Sequence, residues 1–234
     1  MIRRNNSIFR RYFRSLSLVS PFSIVRDLKI KWQSDYPYRA YTKKYECIFI
    51  HIPKTAGTSI LNALQGKKVN RDHCSFHEYS RSDVIKYSEF FKFTFVRNPY
   101  DRAVSTYEYL KRGGNQIGGL YFKELINKHY PTFEMFVLDY LDKEQIQLHK
   151  LFKPQYLFIY DHKLECQVDE IFYFENIEES YSHISQVLKL NVPLKCENKV
   201  VREHYLSYYK NRQVVEKINY LYSKDFDLFG YDKI

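Results

Sequence analysis

The stretch Cys47-Ile48-Phe49-Ile50-His51-Ile52-Pro53-Lys54-Thr55-Ala56-Gly57-Thr58-Ser59 runs from an apolar segment, through a proline and a lysine, to one glycine set among three hydroxyl side chains. An amphipathic segment follows. Buried strand, tight loop, helix start is an order that builds an anion cradle: first-turn N–H groups point outward, and the helix dipole adds positive potential. Thr55, Thr58 and Ser59 offer hydroxyl donors and Lys54 a mobile charge. Gly57 lets an anion's oxygen approach the backbone with no Cβ in the way. The common nucleotide loop, G-x-x-x-x-G-K-[ST], places its lysine after the second glycine. Here the lysine precedes the glycine, which weighs against a conventional ATPase or GTPase.

A second constellation is Phe93-Thr94-Phe95-Val96-Arg97-Asn98-Pro99-Tyr100-Asp101-Arg102-Ala103-Val104-Ser105. It reads as another buried strand entering a helix, with Asn98 suited to the N-cap and Pro99 to the first helical position. Arg97 falls at the strand's carboxyl end, and Ser105 about two turns into the helix. A guanidinium fork and a hydroxyl suit a phosphate dianion. Two anion sites at two strand ends point to a nucleotide phosphorylated on both sides of its ribose.

The two motifs, about 40 residues apart, together resemble the sulfotransferases that use 3′-phosphoadenosine 5′-phosphosulfate (PAPS). The likeness is greatest to the carbohydrate branch, which holds the heparan sulfate 2-O- and chondroitin sulfotransferases and many bacterial relatives. It runs from about Tyr45 to the C-terminus. It takes in Pro154-Gln155, the stretch Phe174-Glu175-Asn176, and Tyr222-Ser223-Lys224-Asp225-Phe226-Asp227-Leu228-Phe229-Gly230-Tyr231.

The resemblance implies that Lys54, Thr55, Ala56, Gly57, Thr58 and Ser59 hold the 5′-phosphosulfate, while Arg97 and Ser105 take the 3′-phosphate. Lys54 would also neutralise the bridging oxygen as the sulfuryl group leaves. The transfer would be one in-line displacement onto a carbohydrate hydroxyl, governed by positioning and electrostatics, with no metal. In the family a histidine base lies between the motifs, in the frame histidine, any residue, Ser/Thr, apolar. His73 fits that frame in His73-Cys74-Ser75-Phe76-His77-Glu78-Tyr79, His77 is its rival, and Glu78 a carboxylate alternative. A late basic segment that closes over the nucleotide in the family corresponds to Asn198, Lys199 and Arg202, of which Arg202 is the donor contact. Two other readings stay open: a P-loop-like kinase using ATP, and a non-catalytic relative binding nucleotide or glycan.

The remaining sequence reads as α/β. Strands are expected at 46–52, 92–97, 156–160 and 171–174. Helices are expected at 58–65, 81–88, 99–111, 120–128, 132–141, 144–150, 177–189 and 211–224. Alternation of this kind predicts a P-loop-like three-layer α/β/α fold around a mostly parallel sheet, with ligands at its carboxyl edge. A chain of 234 residues is long enough for a sizeable core. The 23 tyrosines and 18 phenylalanines go mainly to that core, with some available to stack on sugar rings.

Net charge is +10, but residues 1–40 carry nine Lys/Arg against two Asp/Glu, and the rest 28 against 25. The division is therefore a basic arm over 1–40 and a nearly balanced catalytic domain over 41–234. That balance argues against nucleic-acid binding. In the arm, Ile8, Phe9, Tyr12, Phe13 and Leu16 alternate with Arg10, Arg11 and Arg14. Such a helix either packs on the domain or lies on an anionic membrane. The apolar stretch Leu16 to Val25 is too short to span a bilayer and makes a poor secretory signal. The expected location is the cytoplasm, where the donor is made, with contact at the inner membrane face as the alternative. Cysteines 47, 74, 166 and 196 form no C-x-x-C pair, so neither a zinc site nor a disulfide framework is expected. Four of seven glycines cluster in 113–119, a loop that either contours the acceptor site or simply connects. The acceptor itself and the oligomeric state are not encoded in any readable motif.

Overall fold

The computed structural model describes residues 35–66, 71–114, 119–195 and 202–234. The basic arm before residue 35, Asn198, Lys199 and residues 115–118 of the glycine-rich loop lie outside them. In chain order the elements are α1 (Ala40–Tyr45), β1 (Cys47–Ile50), α2 (Gly57–Gln65), α3 (Phe76–Ser82), α4 (Val84–Glu89), β2 (Phe91–Val96), α5 (Pro99–Lys111), α6 (Leu120–His129), α7 (Phe133–Met135), α8 (Lys143–Leu148), β3 (Glu170–Tyr173), α9 (Ile177–Val187), α10 (Arg212–Leu221) and α11 (Ser223–Phe229). These fall into two compact units. One holds residues 35–98 and Gln155–Arg202; the other holds Pro99–Pro154 and Glu203–Ile234.

The first unit is built on a three-stranded sheet in the order β1-β2-β3, all parallel. Phe49 pairs with Phe93, and Phe95 with Phe172. On one face Cys47, Phe49, Phe93 and Phe95 pack with Ile60, Leu61 and Leu64 of α2 and Tyr181 and Ile184 of α9. On the other, Ile48, Ile50, Thr94 and Val96 are fully buried as well. A parallel sheet covered on both faces favours strands that are apolar on both sides, which is why β1 shows no alternation. In β2 the half-buried start carries Lys92, and the fully buried Thr94 is satisfied by donating its hydroxyl to the Ile50 carbonyl at 2.7 Å. The α/β expectation with a parallel sheet flanked by helices holds.

Two local expectations in this unit do not. The apolar run at 156–160 is no strand: Gln155–Phe158 forms a 3-10 turn. The Gln155 side-chain amide takes both backbone groups of Arg97, its Oε1 accepting from N–H at 3.0 Å and its Nε2 donating to C=O at 2.8 Å. A side chain thus takes up the backbone hydrogen-bonding groups just past the carboxyl end of β2. The helix expected at 81–88 is two helices broken at Asp83, which is extended (φ −155°) and caps α4 by accepting from the Lys86 N–H at 3.0 Å. Asp competes for backbone donors in this way and so favours caps over helix interiors.

In the second unit, Tyr100, Val104, Tyr107 and Leu110 of α5 form a core with Phe122, Phe136, Val214, Ile218 and Phe226. The segment expected as one helix over 132–141 is α7 followed by a π turn, Phe136–Tyr140. That expected over 211–224 is broken at Tyr222, whose buried hydroxyl donates to the Phe152 carbonyl at 2.7 Å. Arg102 is buried and donates to the Leu151 and Lys153 carbonyls. Burial lowers its pKa, and Tyr222 and the fully buried Asp225 act against that shift. Tyr100 and Arg102, both from the second motif, are therefore packing residues of this unit.

Candidate active site

The site is built where β1 gives way to α2. The Ile52 N–H turns back to the Ile50 carbonyl at 3.2 Å, which takes the chain out of the ladder. Lys54 and Ala56 then adopt positive φ, 70° and 62°. Left-handed backbone in residues with a Cβ costs roughly 1–2 kcal/mol each, so the surroundings must impose it. Two hydrogen bonds do so: the Thr55 hydroxyl donates to the Ile52 carbonyl at 2.9 Å, and Arg97 Nη1 donates to the Lys54 carbonyl at 3.0 Å. Helix α2 begins with no side chain capping it. An uncapped helix N-terminus behind a loop of alternating handedness is the backbone from which anion-binding nests are made. The Thr55 hydroxyl, however, is used inside the loop.

Gly57 has a further reason to be glycine. Its φ is not positive; instead, a Cβ there would lie 1.9 Å from Cδ2 and 2.0 Å from Nε2 of His51. The imidazole fills the space that a side chain would need. His51 is buried (7% exposed) and lies flat along Phe49, with ring centroids 5.6 Å apart and planes at 16°.

Arg97, at the end of β2, is 9% exposed. Gln155 holds its backbone from both sides, and its guanidinium lies 3.9 Å from the centre of the Phe174 ring. The next residue is fixed too, since the Asn98 N–H donates to Glu175 Oε1 at 2.7 Å. Gln155, Phe174 and Glu175 thereby hold Arg97 and the residue after it. Beside it, Lys54 has its pKa lowered to about 7 by burial and then by the charges of Arg97, Arg71 and Arg202. Four cationic side chains thus converge electrostatically on one loop, and a polyanion among them would reverse the repulsion. Arg71 was not singled out from the sequence. It donates to the Thr58 hydroxyl at 2.9 Å, but no spacing rule marks an arginine in that position.

His73 enters the same loop. Its φ is 49°, its ring lies 4.3 Å from that of His51, and its Nδ1 is 3.0 Å from the His51 carbonyl oxygen. A carbonyl only accepts, so Nδ1 carries the proton and Nε2 holds the lone pair in the neutral ring. His51 itself is held well below the ordinary histidine pKa by burial, then by His73, Arg71 and Lys54. It stays neutral, and its Nδ1 is buried without a hydrogen-bond partner. A small opening of about 30 Å³ borders both rings and is lined also by Arg39, Gln65, Asp72 and Cys74.

His77 lies elsewhere, exposed on the first turn of α3 over the ring of Phe76. The Glu78 carboxylate closes a capping box, accepting from the Ser75 N–H at 2.8 Å. Ser59 is buried in the first turn of α2, Ser105 is half-buried on α5 of the other unit, and Arg202 is half-buried in the same unit as Lys54. The Cys74 thiol is buried, 3.2 Å from the Tyr36 hydroxyl. Among the described residues no helix is long and apolar enough to cross a membrane, and no three His, Cys, Asp or Glu are grouped as a metal site requires.

Compared with known proteins, residues 39–232 match the family model described as "Sulfotransferase family". No curated protein and no solved structure matches.

Proposed function

This chain belongs to the sulfotransferase family, and from that membership we propose that it moves the sulfuryl group of PAPS to a hydroxyl of a carbohydrate. The observation that carries this reading is the convergence of Lys54, Arg71, Arg97 and Arg202 on the loop before an uncapped helix. A donor with a phosphosulfate at one end and a phosphate at the other carries charge to match. Backbone N–H groups at the start of α2, with the Thr58 and Ser59 hydroxyls, receive the 5′-phosphosulfate. Arg97, steered by Gln155 and Phe174, takes the 3′-phosphate. Lys54 covers the oxygen that bridges phosphorus and sulfur.

In the reaction the acceptor oxygen bonds to sulfur as the bond from sulfur to the bridging oxygen breaks. The negative charge then gathering on that oxygen is met by Lys54. The acceptor proton goes to Nε2 of His73, whose tautomer is fixed by the His51 carbonyl. Of the two adjacent imidazoles only His73 serves, because His51 is buried and disfavours charge. The exposed position of His77 and the capping role of Glu78 weigh against both as the base.

Transfer of labelled sulfate from PAPS to host glycan fractions, with mass spectrometry of the product, tests this reading. Label in glycan is the expected result. Transfer of phosphate from ATP with magnesium, and none of sulfate, would replace it with the kinase reading; nucleotide binding without any transfer would leave a binding module. His73→Ala is expected to lower kcat by about 100- to 10,000-fold, the usual contribution of a general base, with little change in the affinity for 3′-phosphoadenosine 5′-phosphate (PAP). A loss confined to nucleotide affinity would remove His73 from the base role.

Lys54 gives the reading a pH signature. In the free protein it titrates near 7; against the 5′-phosphate it must be charged. PAP binding therefore takes up a proton above pH 7, and affinity falls as pH rises from about 7 to 9, by at most tenfold per unit. Well below pH 7 Lys54 is charged with or without ligand, and this contribution is flat. Calorimetry at pH 8 in buffers of different ionisation enthalpy would read the uptake directly; affinity constant from pH 7 to 9 would contradict it. The reaction is placed in the cytoplasm because the donor is made there, and the residue 1–40 arm is left to contact either the domain or a membrane.

A further inference from the structure

We infer that Arg71 binds the sulfonate end of the donor, so that this guanidinium distinguishes PAPS from its desulfated product. The inference rests on the reading above and assigns a residue outside both loop motifs. Three observations meet at Arg71. Its Nη1 donates to the hydroxyl of Thr58, in the first turn of α2, which fixes the guanidinium beside the uncapped helix end. Its charge acts on Lys54, contributing to the lowering of that pKa. It acts also on His51, whose carbonyl holds the ring of His73, the residue two positions after Arg71.

The sulfonate has to lie between the same limits. In an in-line displacement sulfur stands between the leaving oxygen, at Lys54, and the acceptor oxygen, at Nε2 of His73. A cation coupled to both surroundings faces the three sulfonyl oxygens rather than the ribose. A guanidinium carries five N–H donors in a rigid fork, and among the described residues Arg71 uses one, on Thr58. The remaining donors can bind sulfonyl oxygens, whose charge is redistributed as the bond to the bridging oxygen lengthens. Once the sulfuryl group has moved, PAP leaves this contact empty, and product release becomes easier.

The test compares equilibrium affinities for PAPS and PAP, without acceptor, in wild type, Arg71→Ala and Arg71→Lys. Wild type is expected to prefer PAPS. Arg71→Ala should weaken PAPS by about 10- to 100-fold, the usual range for a lost charge-assisted hydrogen bond, and leave PAP within about threefold. Arg71→Lys should recover part of the preference, since it restores charge without the fork. In turnover the loss should appear mainly in kcat and in the KM for PAPS. An unchanged ratio of PAPS to PAP affinity overturns the inference, as does a loss confined to the acceptor KM, which would assign the guanidinium to the sugar. Equal losses for both nucleotides would give Arg71 a role in holding the loop, and also overturn it. If Arg71→Ala does not fold, the ratio is read on Arg71→Lys and Arg71→Gln. Failure of wild type to bind either nucleotide would count against the sulfotransfer reading itself.

Discussion

Lys54→Met should cut sulfate transfer by about 100- to 1,000-fold, the typical cost of removing one donor aimed at developing charge. The loss should fall on kcat, because the bridging oxygen carries most charge in the transition state. Fold stability should not follow. In the free protein Lys54 is held near pKa 7 by burial and by three guanidiniums, so the neutral methionine removes repulsion instead of support. The ligand-free variant should melt no lower than wild type at pH 6. Its PAP affinity should also lose the dependence on pH between 7 and 9. Steady-state kinetics, thermal melts and calorimetry on one preparation check all three, and turnover within fivefold of wild type would show that Lys54 does not meet the leaving oxygen.

Gly57→Ala should be damaging for a different reason. The added methyl would lie 1.9 Å from His51 Cδ2, far inside van der Waals contact. The ring is buried against Phe49 and close to His73, so it can yield only toward the small opening it borders, giving up its stacking on Phe49. Overpacking of this kind costs about 1–3 kcal/mol or more. Relief would come by shifting the loop that carries Lys54 and Ala56. A displacement of about 1 Å in a reacting group lowers rates by about 100-fold, so activity should fall further than stability alone explains. His51→Ala in the Gly57→Ala background opens the occupied space and should restore much of the lost stability. A double-mutant cycle on melting free energies measures that coupling. If Gly57 served only to admit a phosphate oxygen, Gly57→Ala would fold as stably as wild type, and the second substitution would rescue nothing.

The contrast between these two residues shows where the sequence stops informing. Lys54 could be singled out as a candidate from its place between an apolar run and Gly57, because strand, loop and helix start lie within 13 residues of one another. Gly57 was legible as necessary, but not for the reason found: His51 is six positions earlier, and only the turn at Ile52 folds its ring back over the glycine. The same limit applies to the strand expected at 156–160. Its apolar residues suited β structure, but Gln155 completes the hydrogen bonds of Arg97 with a side chain, an interaction across 58 positions. His73 could be placed in a motif frame, whereas its tautomer depends on a carbonyl 22 residues away.

By itself the sequence determined the parallel α/β core, since strands buried on both faces must be largely apolar, and it marked out the two strand-to-helix loops proposed to bind anions, whose chemistry is local. Tertiary structure alone decided which imidazole is buried and which has its Nδ1 held by a carbonyl, why His51 excludes a side chain at Gly57, and that Arg71 joins the cluster around Lys54. These depend on distances between segments far apart in the chain. Such distances are set by how the sheet and its helices pack, and no periodicity or composition along the chain carries them.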